Sequence, residues 1–262
     1  MSNSEAQFVN YSIEQGFGIL SIGNGVNNAL LSPKFLELSY LKTWIIKNDF
    51  SALIITGNDR CFSSGADLEQ LESGKKNIER FIEEIRAGRE ILDYIESLPI
   101  ITVAAVNGIC FGGGLEIALA FQFIISSSRA IFALPESNLG IMPGLGGIQR
   151  LSSKLNKAKT IELVASGSSF TAQQGFEMGL VHKIVEDRKM LLKESIQFVS
   201  KLIEGKTKYQ INAIIESINS TTHKPDRSFE KFKTLLEMSE KRSTNENEKE
   251  TDTSASRLCS LL

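Results

Sequence analysis

The sequence contains few cysteines and histidines, and this scarcity excludes several kinds of site. Its three cysteines, Cys61, Cys110 and Cys259, lie far apart and form no Cys-x-x-Cys pair, so we expect neither a disulfide framework nor a zinc site. The two histidines are not accompanied by a Gly-x-Ser-x-Gly segment, which disfavours a Ser-His-Asp hydrolase. This cysteine usage is typical of a protein from a reducing compartment.

Phosphate-binding motifs are also missing. No segment follows the P-loop pattern, and the glycines of residues 16–18 and 144–147 do not continue into a dinucleotide-binding fingerprint. The formal net charge of -2 and the pI near 5.9 give no basic surface for nucleic acid or an anionic membrane. Small-molecule chemistry is therefore the favoured function, and no nucleic-acid partner is expected.

Long apolar runs are absent as well. No run reaches the roughly 18 residues of a membrane span, and residues 1–5 do not resemble the start of a signal peptide. We therefore expect a soluble, cytoplasmic protein with no membrane partner. The last three residues, Ser260, Leu261 and Leu262, lack the basic residue of a peroxisomal Ser-Lys-Leu signal, and we interpret them as a frayed end.

The sequence does contain an alternation of strand-like and helix-like segments, with helical patterns dominating the last third. This alternation predicts an α/β fold. Strands are predicted at residues 8–13, 17–22, 52–56, 100–106, 123–126, 130–133 and 181–185, and helices at 33–47, 77–98, 154–166, 172–178, 189–203, 209–218 and 228–238. Residues 61–67 are predicted to be a loop, and the Glu-, Asn- and Thr-rich residues 243–256 a solvated tail.

The most unusual stretch is a glycine run followed by an apolar segment that contains one carboxylate. Residues 115–121 are apolar on every side except for Glu116, so as a helix they should be buried, and a buried carboxylate is costly unless it is compensated. The glycine run, residues 112–114, would place unpaired N–H groups at the start of that helix. This combination indicates a site of chemistry.

A second carboxylate and a second glycine loop extend this pattern. Glu136 follows Pro135 in a turn-rich loop, and burial would raise the pKa of both glutamates into the range of a general acid or base. Residues 64–67 form a similar glycine loop, and two such loops facing one another would supply two converging N–H donors. Taken singly, a tight turn, a buried ion pair and a loop cap remain open as alternatives.

Four segments, in this order, resemble the enoyl-CoA hydratase (crotonase) family over residues 8–205. They are residues 28–30 (Asn-Ala-Leu), 62–68 (Phe-Ser-Ser-Gly-Ala-Asp-Leu), 104–116 (Ala-Ala-Val-Asn-Gly-Ile-Cys-Phe-Gly-Gly-Gly-Leu-Glu) and 135–150, which begins with Pro-Glu and ends with Pro-Gly-Leu-Gly-Gly-Ile-Gln-Arg. The resemblance implies an α/β crotonase (ClpP-like) spiral of ββα units for residues 1–205. It also implies a helical region, residues 206–242, that assembles homotrimers or hexamers. Composition predicts that the remaining residues, 243–262, are a polar, disordered tail.

The resemblance further implies roles for individual residues. The backbone N–H groups of Ala66 and Gly113 would bind the thioester oxygen of an acyl-CoA, and the N–H of Gly144 would orient water. Glu116 would act mainly on the water and Glu136 mainly on Cα. The coenzyme A contacts would be Ala29, Ser64, Gly65, Ala66, Asp67 and Leu68. No metal or prosthetic group is expected, because coenzyme A is part of the substrate.

Hydration is the favoured reaction because family members that isomerise double bonds commonly keep only the glutamate matching Glu136. An isomerase or a specialised dehydratase at the same site is one alternative. A non-catalytic scaffold that binds acyl-CoA, a protein or RNA is another, suggested by the lysine-rich residues 189–208, although such a surface is usually a solvated helix face. The chain departs from the family at Gln122 and Phe123, where many relatives have Cys-Asp, and after about residue 225.

Overall fold

The computed structural model describes residues 9–58 and 60–219, together with Lys233 and Glu237. Within them the strands are β1 (Val9–Glu14), β2 (Phe17–Ile22), β3 (Ala52–Thr56), β4 (Cys61–Ser63), β5 (Ile101–Val106), β6 (Ile109–Phe111), β7 (Phe123–Ser127), β8 (Ile131–Ala133), β9 (Phe170–Thr171) and β10 (Lys183–Val185). The helices are α1 (Leu38–Asn48), α2 (Leu68–Lys76), α3 (Ile78–Ser97), α4 (Gly113–Leu119), α5 (Gly147–Lys154), α6 (Lys157–Ser166), α7 (Ala172–Glu177), α8 (Leu191–Ile203) and α9 (Lys208–Asn219). Short 3-10 turns lie at Pro135–Leu139 and Arg188–Met190.

The strands form two sheets that the chain visits alternately. One sheet has six strands in the order β1-β2-β3-β5-β7-β10, and the other has four in the order β4-β6-β8-β9. The pairs β3 and β4, β5 and β6, and β7 and β8 each give one strand to either sheet, and the central pairings are parallel. Helices follow β4 and β6 before the chain returns to the larger sheet. This arrangement is the spiral of ββα units that the family resemblance implies.

Strand β5 lies at the centre of the larger sheet and is covered on both faces. Its alternate residues Ile101, Val103 and Ala105 join an apolar cluster with α8 and α9, whereas Ala104 and Val106 join the main core with α3 and α4. All six residues of β5 are buried. Burial on both faces explains why the strand is continuously apolar rather than alternating, as predicted.

Elements with strong local signals are predicted correctly. The apolar stripe of α3 and the strands β2, β3 and β5 appear close to the expected positions. Thr171 forms the predicted N-cap of α7, because its side chain accepts from the Gln174 N–H in a complete capping box. Helices α8 and α9 also lie where helical periods were found.

Other elements differ from the prediction. Residues 61–67 begin with strand β4 rather than forming only a loop, and its pairing with β6 is a long-range contact that a local pattern does not reveal. The predicted helix 154–166 is two helices, since Leu155 is extended and Asn156 caps α6. Helix α1 begins five residues later than predicted, after the extended Glu37, and α2 was not predicted. The tail and, apart from Lys233 and Glu237, the predicted helix 228–238 lie outside the described residues.

The proposed boundary at residue 205 stays a prediction. Helix α9 begins after it, and its buried Ile211 and Ile215 join the same apolar cluster as α8.

Among the described residues, no helix combines the length and the apolar character needed to cross a bilayer.

Asn28 ties the segment after β2 to strand β4, and we expect its loss to destabilise the fold. Its fully buried Nδ2 donates to the carbonyl oxygens of Ile22, Cys61 and Phe62 at 3.1, 3.0 and 3.2 Å. Because its φ is 47°, Asn28→Gly removes the side chain without adding backbone strain. Equilibrium denaturation should show a loss of about 2 kcal/mol in the free energy of unfolding. Asn28→Asp, which aims a carboxylate at three carbonyls, should lose more, and an unchanged Asn28→Gly would contradict this role.

Candidate active site

The glycine loop of residues 64–67 lies against the segment that carries Ala29. Ser64 N donates to Asn27 O at 3.0 Å, Leu30 N to Gly65 O at 2.8 Å, and Asp67 N to Leu30 O at 3.0 Å. Because backbone groups alternate in direction along an extended segment, this pairing leaves the N–H of Ala66 facing away from Leu30. The structure thus brings the residues expected to contact coenzyme A into one region.

Two residues of this loop have further features that bear on binding. The Oδ1 atom of Asp67 accepts from the N–H groups of Glu69 and Gln70, both at 3.1 Å, so this carboxylate caps helix α2. Leu68 is 64% exposed. Asp67 therefore shapes the loop, and Leu68 offers apolar surface beside it.

The two glycine loops touch each other. A Cβ atom on Gly65 would lie 2.7 Å from the carbonyl oxygen of Phe111 and 3.3 Å from the nitrogen of Gly113, and the φ of Gly65 is +86°. Glycine is therefore required here both by space and by conformation. Gly113 is the first residue of α4, where an N–H has no partner within the helix. The N–H groups of Ala66 and Gly113 thus belong to adjoining turns.

Glu116 lies in the first turn of α4 and is 2% exposed. Its Oε1 accepts a hydrogen bond of 2.8 Å from the N–H of Gly147, at the start of α5. Burial raises the pKa of Glu116, while the Gly147 N–H and the Arg150 guanidinium act in the opposite direction. The carboxylate is therefore buried in a place that provides partners for its charged form.

Glu136, on the 3-10 turn after β8, has a different environment. Its Oε1 lies 3.1 Å from the position of a Cβ on Gly112, and in the described part of the chain its buried Oε2 has no hydrogen-bond partner. Burial, assisted by the charge of Glu116, raises the pKa of Glu136 to about 8. The surroundings of Glu136 therefore favour its protonated form.

The two glutamates form a coupled pair with unequal surroundings. The N–H donor and the arginines favour the charged form of Glu116, and a charge on Glu116 in turn disfavours a charge on Glu136. The surroundings thus favour a carboxylate at Glu116 and a protonated carboxyl group at Glu136. Such a pair can accept a proton at one position and donate one at another.

The predicted role of Gly144 stays a prediction. The Gly144 carbonyl accepts from Arg89 Nη1 at 3.4 Å, and the N–H that donates to Glu116 Oε1 at 2.8 Å is that of Gly147. Sequence reasoning missed both Gly147 and Arg150, although both lie in the last matching segment. The only available signal was their place in that segment, since nothing local in the sequence indicates a contact with Glu116.

The departure at Gln122 and Phe123 serves packing. The Gln122 side chain donates to Ile100 O at 3.0 Å, and its backbone N–H donates to the Thr102 hydroxyl at 2.9 Å. The Phe123 ring packs edge-on against His182 and Phe198. These contacts join the end of α4 to β5 and α8.

The lysine-rich C-terminal surface lies on elements other than those that carry the glutamates. A cleft of about 330 Å³ lies there, on β10 and α8, lined by Lys183, Glu194, Gln197, Phe198, Lys201 and Leu202. Lys183 and Glu194 form a 2.7 Å ion pair, and Lys208 pairs with Asp49. These pairings fit the interpretation as a solvated helix face better than a binding surface.

Comparisons with known proteins agree with this geometry. The sequence profile of the enoyl-CoA hydratase/isomerase family matches residues 19–254. The chain is 33% identical over 213 residues to a "Probable enoyl-CoA hydratase" of Bacillus subtilis, covering 81% of this chain and 82% of that protein. It is 36% identical over 179 residues to the 2,3-dehydroadipyl-CoA hydratase of Escherichia coli, covering 68% and 67%.

Solved structures identify the same fold. An enoyl-CoA hydratase crystal structure from Bacillus anthracis has a TM-score of 0.73 and 25% identity, with 89% of this chain and 90% of that chain covered. One from Polaromonas, at 24% identity, has a TM-score of 0.76 and coverage of 95% and 96%, and supports the fold alone. The α/β spiral is therefore the crotonase fold, and the chain belongs to the enoyl-CoA hydratase/isomerase family.

Proposed function

We propose that the protein is an enoyl-CoA hydratase, which adds water across the α,β double bond of an enoyl-CoA thioester. The observation that carries the proposal is the pair of carboxyl groups: the buried Glu116 accepts from the Gly147 N–H, and Glu136 has a buried Oε2 without a partner among the described residues. Hydration needs both a base and an acid. Migration of a double bond can be catalysed by a single carboxyl group, so the complete pair favours hydration.

The reaction then follows from the two environments. Glu116 takes a proton from water as the water oxygen bonds to Cβ, and the electrons of the double bond move to the thioester oxygen as an enolate. Glu136 gives its proton to Cα, which completes the 3-hydroxyacyl-CoA. The product leaves the proton of the pair on Glu116, and exchange with solvent restores the starting state.

The adjoining N–H groups of Ala66 and Gly113 would stabilise the enolate oxygen. A preorganised donor of this kind contributes about 3 kcal/mol to catalysis. Ala29 and the Ser64–Leu68 loop would contact the coenzyme A moiety of the substrate, which the hydrogen bonds between their two segments support. Gly144 would orient the water. No metal or prosthetic group takes part in the proposal.

Activity should decline on the alkaline side of about pH 8. The raised pKa of Glu136 means that its acid form, which protonates Cα, predominates below about 8 and is lost above that pH. We expect kcat/KM to fall about tenfold per pH unit beyond this point, since the loss of one proton inactivates the pair. Initial rates measured in buffers from about pH 6 to 10 test this. A flat alkaline profile would contradict the assignment of Glu136 as the acid.

A spectrophotometric assay with enoyl-CoA substrates of several chain lengths tests the reaction itself. The absorbance of the conjugated thioester should decrease on addition of the protein, starting with crotonyl-CoA. An isomerase would instead increase this absorbance with a 3-enoyl-CoA substrate. A scaffold without turnover would change neither signal.

Assembly into homotrimers or hexamers is a separate proposal, which a mass measurement in solution tests.

A further inference from the structure

A charged stripe on helix α3 faces the start of α5. Arg89, Asp93 and Glu96 are spaced by four and three residues, which places them on one side of the helix. Opposite them lies Arg150, whose side chain is 5% exposed. Its Nη2 pairs with Asp93 and its Nε with Glu96 at 2.9 Å. Arg150 is thus held from one side by two carboxylates.

The third contact of Arg150 is with the backbone just before its own helix, α5. Its Nη1 donates to the carbonyl oxygen of Leu145 at 2.6 Å. A Cβ on Gly146, whose φ is +94°, would lie 2.6 Å from Arg150 Nη1 and 3.7 Å from Arg89 Nη2. Both guanidinium groups therefore pack against the turn formed by residues 144–147.

The arginines bind the carbonyl side of this turn, and Glu116 lies on its N–H side. Arg89 donates to the carbonyl of Gly144, and the next N–H, that of Leu145, stabilises the charged form of Glu116 together with the N–H of Gly147. In a trans peptide the C=O and N–H groups point in opposite directions, and no described peptide bond is cis. The bond from Arg89 therefore directs the Leu145 N–H toward the glutamate. The bond from Arg150 to the Leu145 carbonyl fixes the next peptide of the same turn, directly before the Gly147 N–H that donates to Glu116.

We propose that Arg150, anchored by Asp93 and Glu96 and assisted by Arg89, is a positioning residue that fixes the 144–147 turn so that its N–H groups keep Glu116 ionised. This role rests on the proposed hydration, in which Glu116 is the base. The guanidinium of Arg150 has no contact with the substrate in this role. It acts through the peptide groups that it orients and through its positive charge.

All charged groups around Glu116 enter the expected pH dependence. Arg150 from α5 and Arg89 from α3 favour the ionised form of Glu116, and a charge on Glu136 from the 3-10 turn opposes it. Asp93 and Glu96 offset part of the arginine charge. Removal of Arg150 should therefore raise the pKa of Glu116. The acidic limb of the activity profile should move to higher pH by about one unit or more.

The test compares Arg150→Met with wild type in two readouts. In the activity assay kcat should fall about 10- to 100-fold, by analogy with other outer-shell positions, and the acidic limb should move upward while KM changes by less than about threefold. In ¹³C NMR of glutamate-labelled protein, the Glu116 carboxyl, assigned with Glu116→Gln, should titrate at higher pH. The NMR readout needs no turnover, so it tests the positioning role even if the protein fails to hydrate any enoyl-CoA.

Further variants separate positioning from charge and from folding. Asp93→Asn combined with Glu96→Gln releases Arg150 but removes two negative charges. Charge alone would then lower the pKa of Glu116, whereas lost positioning raises it. Arg89→Met should raise the pKa of Glu116 by a smaller amount. It tests the positioning role if Arg150→Met fails to fold. Arg80→Met, on the same helix but 76% exposed, should change nothing. An unchanged Glu116 titration in folded Arg150→Met, or a lower pKa in the double variant, would overturn the proposal.

Discussion

Replacing Glu116 or Glu136 by glutamine is expected to lower kcat for hydration by about 10²- to 10⁴-fold, the range of general acid–base catalysis. Glutamine keeps the size of the side chain but cannot accept a proton from water or deliver one to Cα. Binding of a saturated acyl-CoA should change little, because the proposed oxygen ligands at Ala66 and Gly113 are backbone groups. Calorimetric titration beside the kinetic assay measures both effects.

A matched control accompanies these two variants. Glu162→Gln alters a side chain that is 62% exposed and pairs with Lys159 on α6, and it should retain wild-type activity. Full activity of Glu116→Gln would rule out the two-carboxylate mechanism. Full activity of Glu136→Gln would mean that Glu136 does not protonate Cα, and it would also rule out this mechanism.

Gly147→Ala is expected to lower the activity strongly, because the new side chain would collide with Glu116. The new Cβ would lie 2.6 Å from Glu116 Cγ and 2.9 Å from Oε1, so the carboxylate must move away from the N–H that it accepts. A displacement of about 1 Å at a catalytic group costs about 10²-fold in rate. Steady-state kinetics should show this loss mainly in kcat.

Gly179→Ala provides the comparison for that prediction. Its φ of +81° makes alanine strained, but nothing lies within 4 Å of the new Cβ. We expect a loss of about 1–2 kcal/mol in the free energy of unfolding and no loss of kcat. If Gly147→Ala kept full activity, Glu116 would not depend on its bond to Gly147.

Much of the fold could be predicted because its central elements carry local signals. The apolar stripe of α3 and the continuous apolar run of β5 specify a buried helix and a buried strand without reference to the rest of the chain. Strand β4 could not be found in this way, since three residues acquire strand geometry only by pairing with β6. Helix α5 was missed because its first residue and its N-cap are both glycines, which locally favour a turn.

The candidate site likewise contains residues with a local sequence signal and residues without one. Glu116 stands out in the sequence because a carboxylate is costly in an apolar helix, and Glu136 because it lies in a turn-rich loop entered from an apolar strand. Their partners do not, because Gly147 lies 31 residues from Glu116 and Arg150 lies 57 residues from Asp93. Only the packing of α3 and α5 around the same turn shows that a glycine and an arginine have a part in setting the charge of Glu116.

The most direct test of the account is the product formed from an enoyl-CoA in ¹⁸O-labelled water. If Glu116 activates water and Glu136 protonates Cα, mass spectrometry should find a 3-hydroxyacyl-CoA that carries one labelled oxygen, and Glu116→Gln and Glu136→Gln should form it far more slowly. An unlabelled, double-bond-shifted product, or unchanged substrate at every chain length, would contradict the claim that this pair of glutamates hydrates an enoyl thioester.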